Sequence, residues 1–513
     1  MKKIIFLITL FLGYINGYSQ FLQWQKCYGG SKTDKALTIQ QTEDGGYILG
    51  GRSMSDDGDV PDNHGDADYW LVKTGPSGIV QWQKNYGGSG EDVLYSIKQL
   101  ADGSYILAGF SKSINGDVTG LHGESDVWVI KTNTLGDIQW QKCYGGTWYD
   151  ESYCINQTSD QGYIIAGLSN SKNGDLTNNH GGKDFWILKI SPQGEIQWQK
   201  SMGGSEDEWA ESVQQTSDGG YIVAGHTFSD DGDVSGKHGG FDVWVVKTDT
   251  QGNIQWQKCY GGSGADRAFS VRQTNDDGYI IAGHTYSDDA DVSGNHGEND
   301  YWVIKTDPSG QIQWQKCFGG SNEDFGTTAF QTTDGGYIIG GYSESDDGDV
   351  THNHGGSDYW IVKTDSAGQM KWKKNFGGSF SEQLQDGLQQ TVDGSYIIAG
   401  TTLSNDFDVS GNHGKNFDYW MVKLCSNDSL GIEEKHVKLV SIYPNPTNDN
   451  LTLTVDAMLV GSDYTISNQQ GETILRGKIT AEISTINISE LSAGAYIFKI
   501  GNQKKGVLKI IKK

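Results

Sequence analysis

Proline (6) and cysteine (6) are scarce in this 513-residue sequence, and basic residues are outnumbered by acidic ones, 39 to 65. The resulting net charge of −26 disfavours nucleic acid, whose phosphates it would repel, and anionic membrane surfaces for the same reason. Cations, neutral glycans and basic partners fit better. Long apolar runs are missing after the N-terminus, so no later segment approaches a transmembrane span. Disulfides are not expected either. Cys27, Cys143, Cys259 and Cys317 share one repeat position where other repeats carry Asn85, Ser201 and Asn375, and a framework cysteine would not be so freely replaced. Equivalent positions in different repeats also lie too far apart to bridge. What is abundant is glycine (72), tyrosine (25) and tryptophan (16), a composition that suits many short strands joined by tight turns.

The first residues read as a secretory signal peptide over residues 1–19. Lys2 and Lys3 are followed by the short apolar stretch Ile4 to Leu12, and Gly17 and Ser19 are the small residues before cleavage at Gln20.

The central feature is a repeat. Trp24, Trp82, Trp140, Trp198, Trp256, Trp314 and Trp372 recur every 58 residues. Trp70, Trp128, Trp186, Trp244, Trp302 and Trp360 keep the same step, and Trp420 follows after a two-residue insertion. A fixed period of this length marks a repeat architecture. Within one unit, strands are expected over 268–274, 279–285, 301–306 and 312–318, with tight turns at Asn275 to Gly278 and Asp307 to Gly310. Four antiparallel strands repeated seven times make a propeller. The chain opens on a fourth strand (22–29) and its last unit stops after a third (419–424). Pairing the two would close the ring and remove an exposed edge.

The segment Tyr301-Trp302-Val303-Ile304-Lys305-Thr306-Asp307-Pro308-Ser309-Gly310, with Trp314 and Gly319-Gly320-Ser321, resembles the bacterial SBBP-type β-propeller repeat. The resemblance covers residues 21–425 and implies a fold more than a function, since such repeats share no single activity. After a linker over 426–440, a different module fills 441–513. Leu451 to Val455, Tyr464 to Ile466 and Ala495 to Ile500 alternate as strands of a small Ig-like β-sandwich. Tyr443-Pro444-Asn445-Pro446, Gly471, Leu491-Ser492-Ala493-Gly494-Ala495-Tyr496 and the basic end Lys509 to Lys513 resemble the type A C-terminal sorting domain of the type IX secretion system of Bacteroidetes-like bacteria. That resemblance implies a partner, the type IX machinery, and a destination at the cell surface or outside the cell.

Three sets of residues could carry chemistry. In the long loop between second and third strands, Asp59, Asp117, Asp175, Asp233, Asp291, Asp349 and Asp408 are each followed five residues later by His64, His122, His180, His238, His296, His354 and His413. These are metal-ligand types, and the Asp57-Gly58-Asp59 element suggests Ca²⁺, although no complete EF-hand loop is present. The competing reading is a self-bonded loop. Second, Asp34, Asp92, Asp150, Glu208, Asp266, Asp324 and Glu382 stand ten residues after each outer-strand Trp. With the first strand innermost they would ring the axis, or else stabilise a turn. Third, two Trp residues stand outside the repeat pattern. Trp148, beside Tyr149, and Trp209 are expected in loops on the long-loop face. At Trp209's position the other units carry Lys35, Val93, Glu151, Arg267, Phe325 and Gln383, the most variable site of that rim. Flat aromatics beside carboxylates suit sugar binding.

No nucleophile elbow, phosphate loop or zinc-protease motif is present. The expectation is an exported binding or structural module for glycans, other surface polymers or surface proteins. The rival classes are a polysaccharide hydrolase or lyase, and an inert spacer or protein-docking scaffold.

Overall fold

Alternation and turn chemistry build the same four strands seven times. The computed structural model describes residues 22–425 and, further on, 441–443, 447, 449–454, 460–468, 472–481, 483–500 and 507–512. The signal peptide, the linker, Pro444 to Pro446 and Gly471 lie outside the described residues. The chain divides into two compact units, Met1–Ser429 and Leu430–Lys513. All six cysteines are free.

In the unit read above, the strands run Asp266–Gln273, Tyr279–Thr285, Asp300–Thr306 and Ile312–Phe318. The inner strand starts two residues earlier than the sequence suggested because Asp266 pairs with Thr285. Six four-stranded antiparallel blades span residues 34–86, 92–144, 150–202, 208–260, 266–318 and 324–376. Blade 7 combines residues 382–424 with the N-terminal strand Leu22–Tyr28, which lies antiparallel to Asp418–Leu424. The closing strand reproduces the internal contacts of other blades. Trp420 donates its indole N–H to Gln25 at 2.9 Å, as Trp244 does to Gln257 at 2.9 Å. Tyr419 donates to the Trp70 carbonyl at 3.0 Å across the closure, as Tyr301 does to Trp360.

The core lies between blades. Trp70, Trp128, Trp186, Trp244, Trp302, Trp360 and Trp420 are all fully buried. Trp302, for example, packs on Ile222, Ala224, Val243 and Val245 of the preceding blade. Burying an indole removes roughly 150–250 Å² from water, an upper-bound stabilisation of about 4–6 kcal/mol each. At the opposite end of the strand, a buried lysine clasps the inner turn. Lys305 donates to Asp276 at 2.9 Å and to the Thr306 carbonyl at 2.7 Å. Lys73–Asp44, Lys189–Asp160, Lys247–Asp218 and Lys363–Asp334 repeat the pair.

Blade 7 departs from the pattern. Its inner strand is split into Glu382–Gln383 and Leu388–Gln390, because one extra residue sits in the Asp386-Gly387 segment. A second extra residue separates His413 from Asp418, five apart instead of four.

The C-terminal unit is a separate β-sandwich. A three-stranded sheet (Ser441–Tyr443, Asn450–Thr454, Ile483–Asn487) accompanies a four-stranded one (Asp463–Ser467, Thr473–Lys478, Gly494–Ile500, Val507–Lys512). Leu451, Leu453, Ile466, Phe498 and Ile510 form its core. No helix among the described residues is long and apolar enough to cross a membrane.

Candidate functional site

The first strand of each blade is innermost, and its local geometry decides what reaches the axis. Every intact inner strand carries a β-bulge at its fourth residue, with a register shift between positions such as Ala36 and Thr38 or Ala210 and Ser212. A bulge leaves one residue unpaired and re-aims its side chain. The bulged residues are Leu37, Tyr95, Tyr153, Glu211, Phe269 and Thr327. The second residue of each strand is Lys35, Val93, Glu151, Trp209, Arg267, Phe325 or Gln383. Its cross-strand partners are Arg52, Phe110, Leu168, His226, His284, Tyr342 and Thr401.

Most of these positions line an axial cavity of about 530 Å³, with Glu151, Phe325 and His284 among those outside its lining. One wall is aromatic. Trp209 stacks on His226 at 5.0 Å and 19°, with Phe241 edge-on at 5.7 Å, and Phe269 completes that lining. Lys183 lies over the Trp209 ring and Arg267 over the Phe241 ring. Tyr95 and Tyr153 meet edge-to-face at 4.9 Å, and Tyr153 donates to Glu151 at 2.9 Å. Lys35 and Arg52 of blade 1 and Arg267 of blade 5 bring positive charge to the same cavity.

Confinement perturbs the titrating groups. Burial pushes the Glu211 carboxyl up to about 8, opposed by Arg267 and reinforced by the charge of Glu151. Burial likewise raises Glu151. His284 is driven down to about 3, by burial first and by Arg267 second. His226 falls for the same reasons, with His284 adding to them. Both imidazoles are therefore neutral at ordinary pH.

The split inner strand of blade 7 supplies a floor. Asp386 lines both this cavity and a second one of about 390 Å³. Its carboxylate accepts from Thr328 at 3.1 Å and faces Arg272 at 3.6 Å, and its backbone bridges Thr38.

The recurring acids and histidines are placed differently. Asp34, Asp92, Asp150, Glu208, Asp266, Asp324 and Glu382 are 0% exposed. They stand one residue before the axis-facing position, so strand alternation turns them away from the cavity and beneath the Gly-Gly pair that links blades. Asp34 accepts from the Gly30 N–H at 2.8 Å, from Ser55 at 2.9 Å and from Ser53. Each loop histidine bonds the aspartate after it, not the one before. His64, His122, His180, His238, His296 and His354 engage Asp68, Asp126, Asp184, Asp242, Asp300 and Asp358 through Nδ1 at 2.5–2.9 Å, and His413 engages Asp418 at 2.7 Å. Asp59, Asp117, Asp175, Asp233 and Asp291 accept from the first glycine N–H of the Gly-Gly pair at 3.1–3.4 Å. The backbones of Asp349 and Asp408 donate to the matching glycine carbonyls. The two series approach one another only across blades, as His413 with Asp59 at 3.5 Å and His238 with Asp291 at 4.0 Å. Among the described residues, no three His, Cys, Asp or Glu side chains group as a metal site. One oxygen of each carboxylate accepts from neighbouring N–H groups, and Asp34 and Asp59 and their counterparts thereby latch onto the glycines between blades.

The aromatic candidates separate. Trp148 and Tyr149 lie in the segment entering blade 3 and are 54% and 40% exposed. Trp209 belongs to the strand Glu208–Gln215, not to a loop. It lines the cavity. Sequence reasoning passed over Glu211, His226, Phe241, Phe269 and Asp386. The variability it noted at the Lys35/Trp209 position extends to the bulge position and the facing strand, and comparing the repeats column by column would have exposed all three.

Known proteins give limited company. Regulatory protein FlaEY of Caulobacter vibrioides is 26% identical over 204 residues, covering 35% of this chain and 21% of its own. Beta-agarase A of Zobellia galactanivorans is 22% identical over 324 residues, 50% of this chain and 57% of its own. The chain thus spans only part of these curated relatives. Among solved structures, the Neurospora crassa Pan2 WD40 domain aligns at 12% identity and a TM-score of 0.43, covering 75% of this chain and 88% of that one. At the C-terminus, residues 441–513 match the family described as Secretion system C-terminal sorting domain. The chain is therefore a β-propeller protein that carries a type IX sorting domain and is exported to the cell surface or the extracellular space.

Proposed function

We propose that the propeller is a carbohydrate-binding module of the cell surface, with the axial cavity as its site. The observation that carries this reading is the axis-facing column, which holds seven different side chains and varies together with the bulge position and the facing strand, while the Trp columns recur unchanged. The divergence includes a half-buried Trp209 stacked on His226, with Phe241 edge-on to it and Phe269 on the same lining, and with carboxyls and cations alongside. Sugar rings offer one apolar face for stacking and hydroxyls for hydrogen bonding. Trp148 and Tyr149, exposed at the entry to blade 3, give a polymer a second stacking surface. A signal peptide over residues 1–19 and the sorting domain at the other end complete the export route, and the relative named Beta-agarase A is in keeping with a carbohydrate ligand.

The test is a glycan array with the mature chain from Gln20, alongside Trp209→Ala. Selective binding lost in the variant supports the reading. Folded protein that binds nothing overturns it and leaves the scaffold alternative.

A second reading rests on Glu211 and Glu151. A carboxyl held protonated up to about 8 beside a second carboxyl is an acid–base arrangement of the kind that glycoside hydrolysis needs. Release of reducing ends from a bound polysaccharide, abolished in Glu211→Gln, would move the protein from binder to enzyme.

A further inference from the structure

The cavity is electrostatically unlike the rest of the molecule. The chain carries a net charge of −26, yet Lys35, Arg52 and Arg267 all line this one cavity. Arg52 is compensated by Glu91 at 2.7 Å. Among the described residues neither Lys35 nor Arg267 has a carboxylate within ion-pair distance. Their polar heads rest on aromatic rings instead, Lys35 over Phe417 at 4.5 Å and Arg267 over Phe241 at 4.3 Å. The two carboxyls on the same lining do not neutralise them. Asp386 is engaged by Arg272 and Thr328, and burial keeps Glu211 protonated up to about 8. Partly desolvated cations without counter-charge are costly.

We propose that the axial cavity selects acidic glycans, with Lys35 and Arg267 receiving a carboxylate or sulfate group while Trp209 and Phe241 hold the sugar face. This rests on the carbohydrate reading above and adds the charge class of the ligand. The acidic exterior sharpens the selection. The net negative charge disfavours polyanions overall, so an acidic polymer that binds must do so at a local positive site.

The experiment compares polymers that differ only or chiefly in charge: polygalacturonate against its methyl ester, and κ-carrageenan against agarose. The mature chain is tested by affinity electrophoresis beside Lys35→Met/Arg267→Met, Trp209→Ala and, as a control on an outer strand, Lys316→Met. Circular dichroism melting of each variant runs in parallel. The expected result is retention by polygalacturonate, κ-carrageenan or both, and not by the neutral partners. The double substitution should weaken it about tenfold to a hundredfold, the range for losing charge-assisted hydrogen bonds, with Lys316→Met unchanged. The uronate and sulfate arms separate the two anion sources. Retention by the neutral polymers alone overturns the charge assignment and spares the carbohydrate reading. Retention of the acidic polymer undiminished in the double variant also overturns the assignment. No retention by any polymer overturns both. Should the double variant fail to fold, Lys35→Gln alone carries the same comparison.

Discussion

Two columns of the repeat, one on the third strand and one on the innermost, behave in opposite ways. The third strand places tryptophan at one position in all seven blades, and every copy is buried. The second residue of the inner strand is Lys35, Val93, Glu151, Trp209, Arg267, Phe325 or Gln383, never the same twice. The first column meets the same apolar surroundings in every blade, so one side chain solves the packing problem seven times. The second faces a cavity shared by all blades, where seven copies of one residue would crowd or repel each other around the axis. Uniformity marks what the ring needs to close. Divergence marks what the ring holds.

The sharpest way to break the shell is to remove its closure. Deleting the strand Leu22–Tyr28 strips blade 7 of its outer strand and exposes an unpaired edge. The expected outcome is loss of soluble monomer by size-exclusion chromatography. A substitution in the uniform column comes next. Trp302→Ala should cost about 3–5 kcal/mol in urea unfolding, whereas Trp209→Ala, on the half-buried cavity wall, should cost about 1 kcal/mol and act on binding instead. Equal losses would erase the distinction between the columns. The lysine clasp is expected to matter less. Asp276→Ala leaves Lys305 buried at 3% exposure without its carboxylate, and about 1–3 kcal/mol should be lost in the same assay.

The smallest effect is pH-dependent. Against the upward push of burial, the combined hydrogen bonds of Lys73, Thr42 and Gly46 hold Asp44 down to about 2, and those of Lys247, Thr216 and Gly220 do the same for Asp218. A depressed folded value adds stability above the unfolded value near 4, and that stability is lost as the pH falls through about 2. Burial raises Asp92 and Asp324 to about 6 and Glu382 to about 7, so the folded protein takes up protons there and loses stability as the pH rises through that range. The loss begins at the unfolded value near 4, so the melting temperature should peak near pH 4 and fall toward pH 7, and a maximum above pH 7 would contradict the assignment.

Much of the shell was legible in the sequence because it obeys local rules. Tight turns, alternation and the Trp periods place the strands, and the offset of residues 22–28 foretells closure. The latch residues were legible as a pattern but not in their pairing. His64 could bond either flanking aspartate by spacing, and only the fold shows Asp68 opposite its ring and Asp59 beneath a glycine. The cavity was the least visible. Its floor depends on one inserted residue near Asp386, and its wall on a bulge that turns Glu211 and Phe269 inward. The bulge recurs in every intact blade and so leaves no trace in the period, and the residue added near Asp386 shows only as half of the two-residue lengthening before Trp420, yet each redirects a side chain by half a turn of the strand. Trp209 illustrates the difficulty. Its variability was plain, but a strand start two residues earlier than expected moved it from a loop to the axis.

The most direct test of the account is to measure glycan binding and urea stability together on Trp209→Ala and Trp302→Ala in the mature chain. The account predicts that Trp209→Ala abolishes binding with a stability change of about 1 kcal/mol, while Trp302→Ala lowers stability by about 3–5 kcal/mol and retains binding in whatever fraction stays folded. Binding that survives Trp209→Ala undiminished would place the site outside the axial cavity and contradict the central claim.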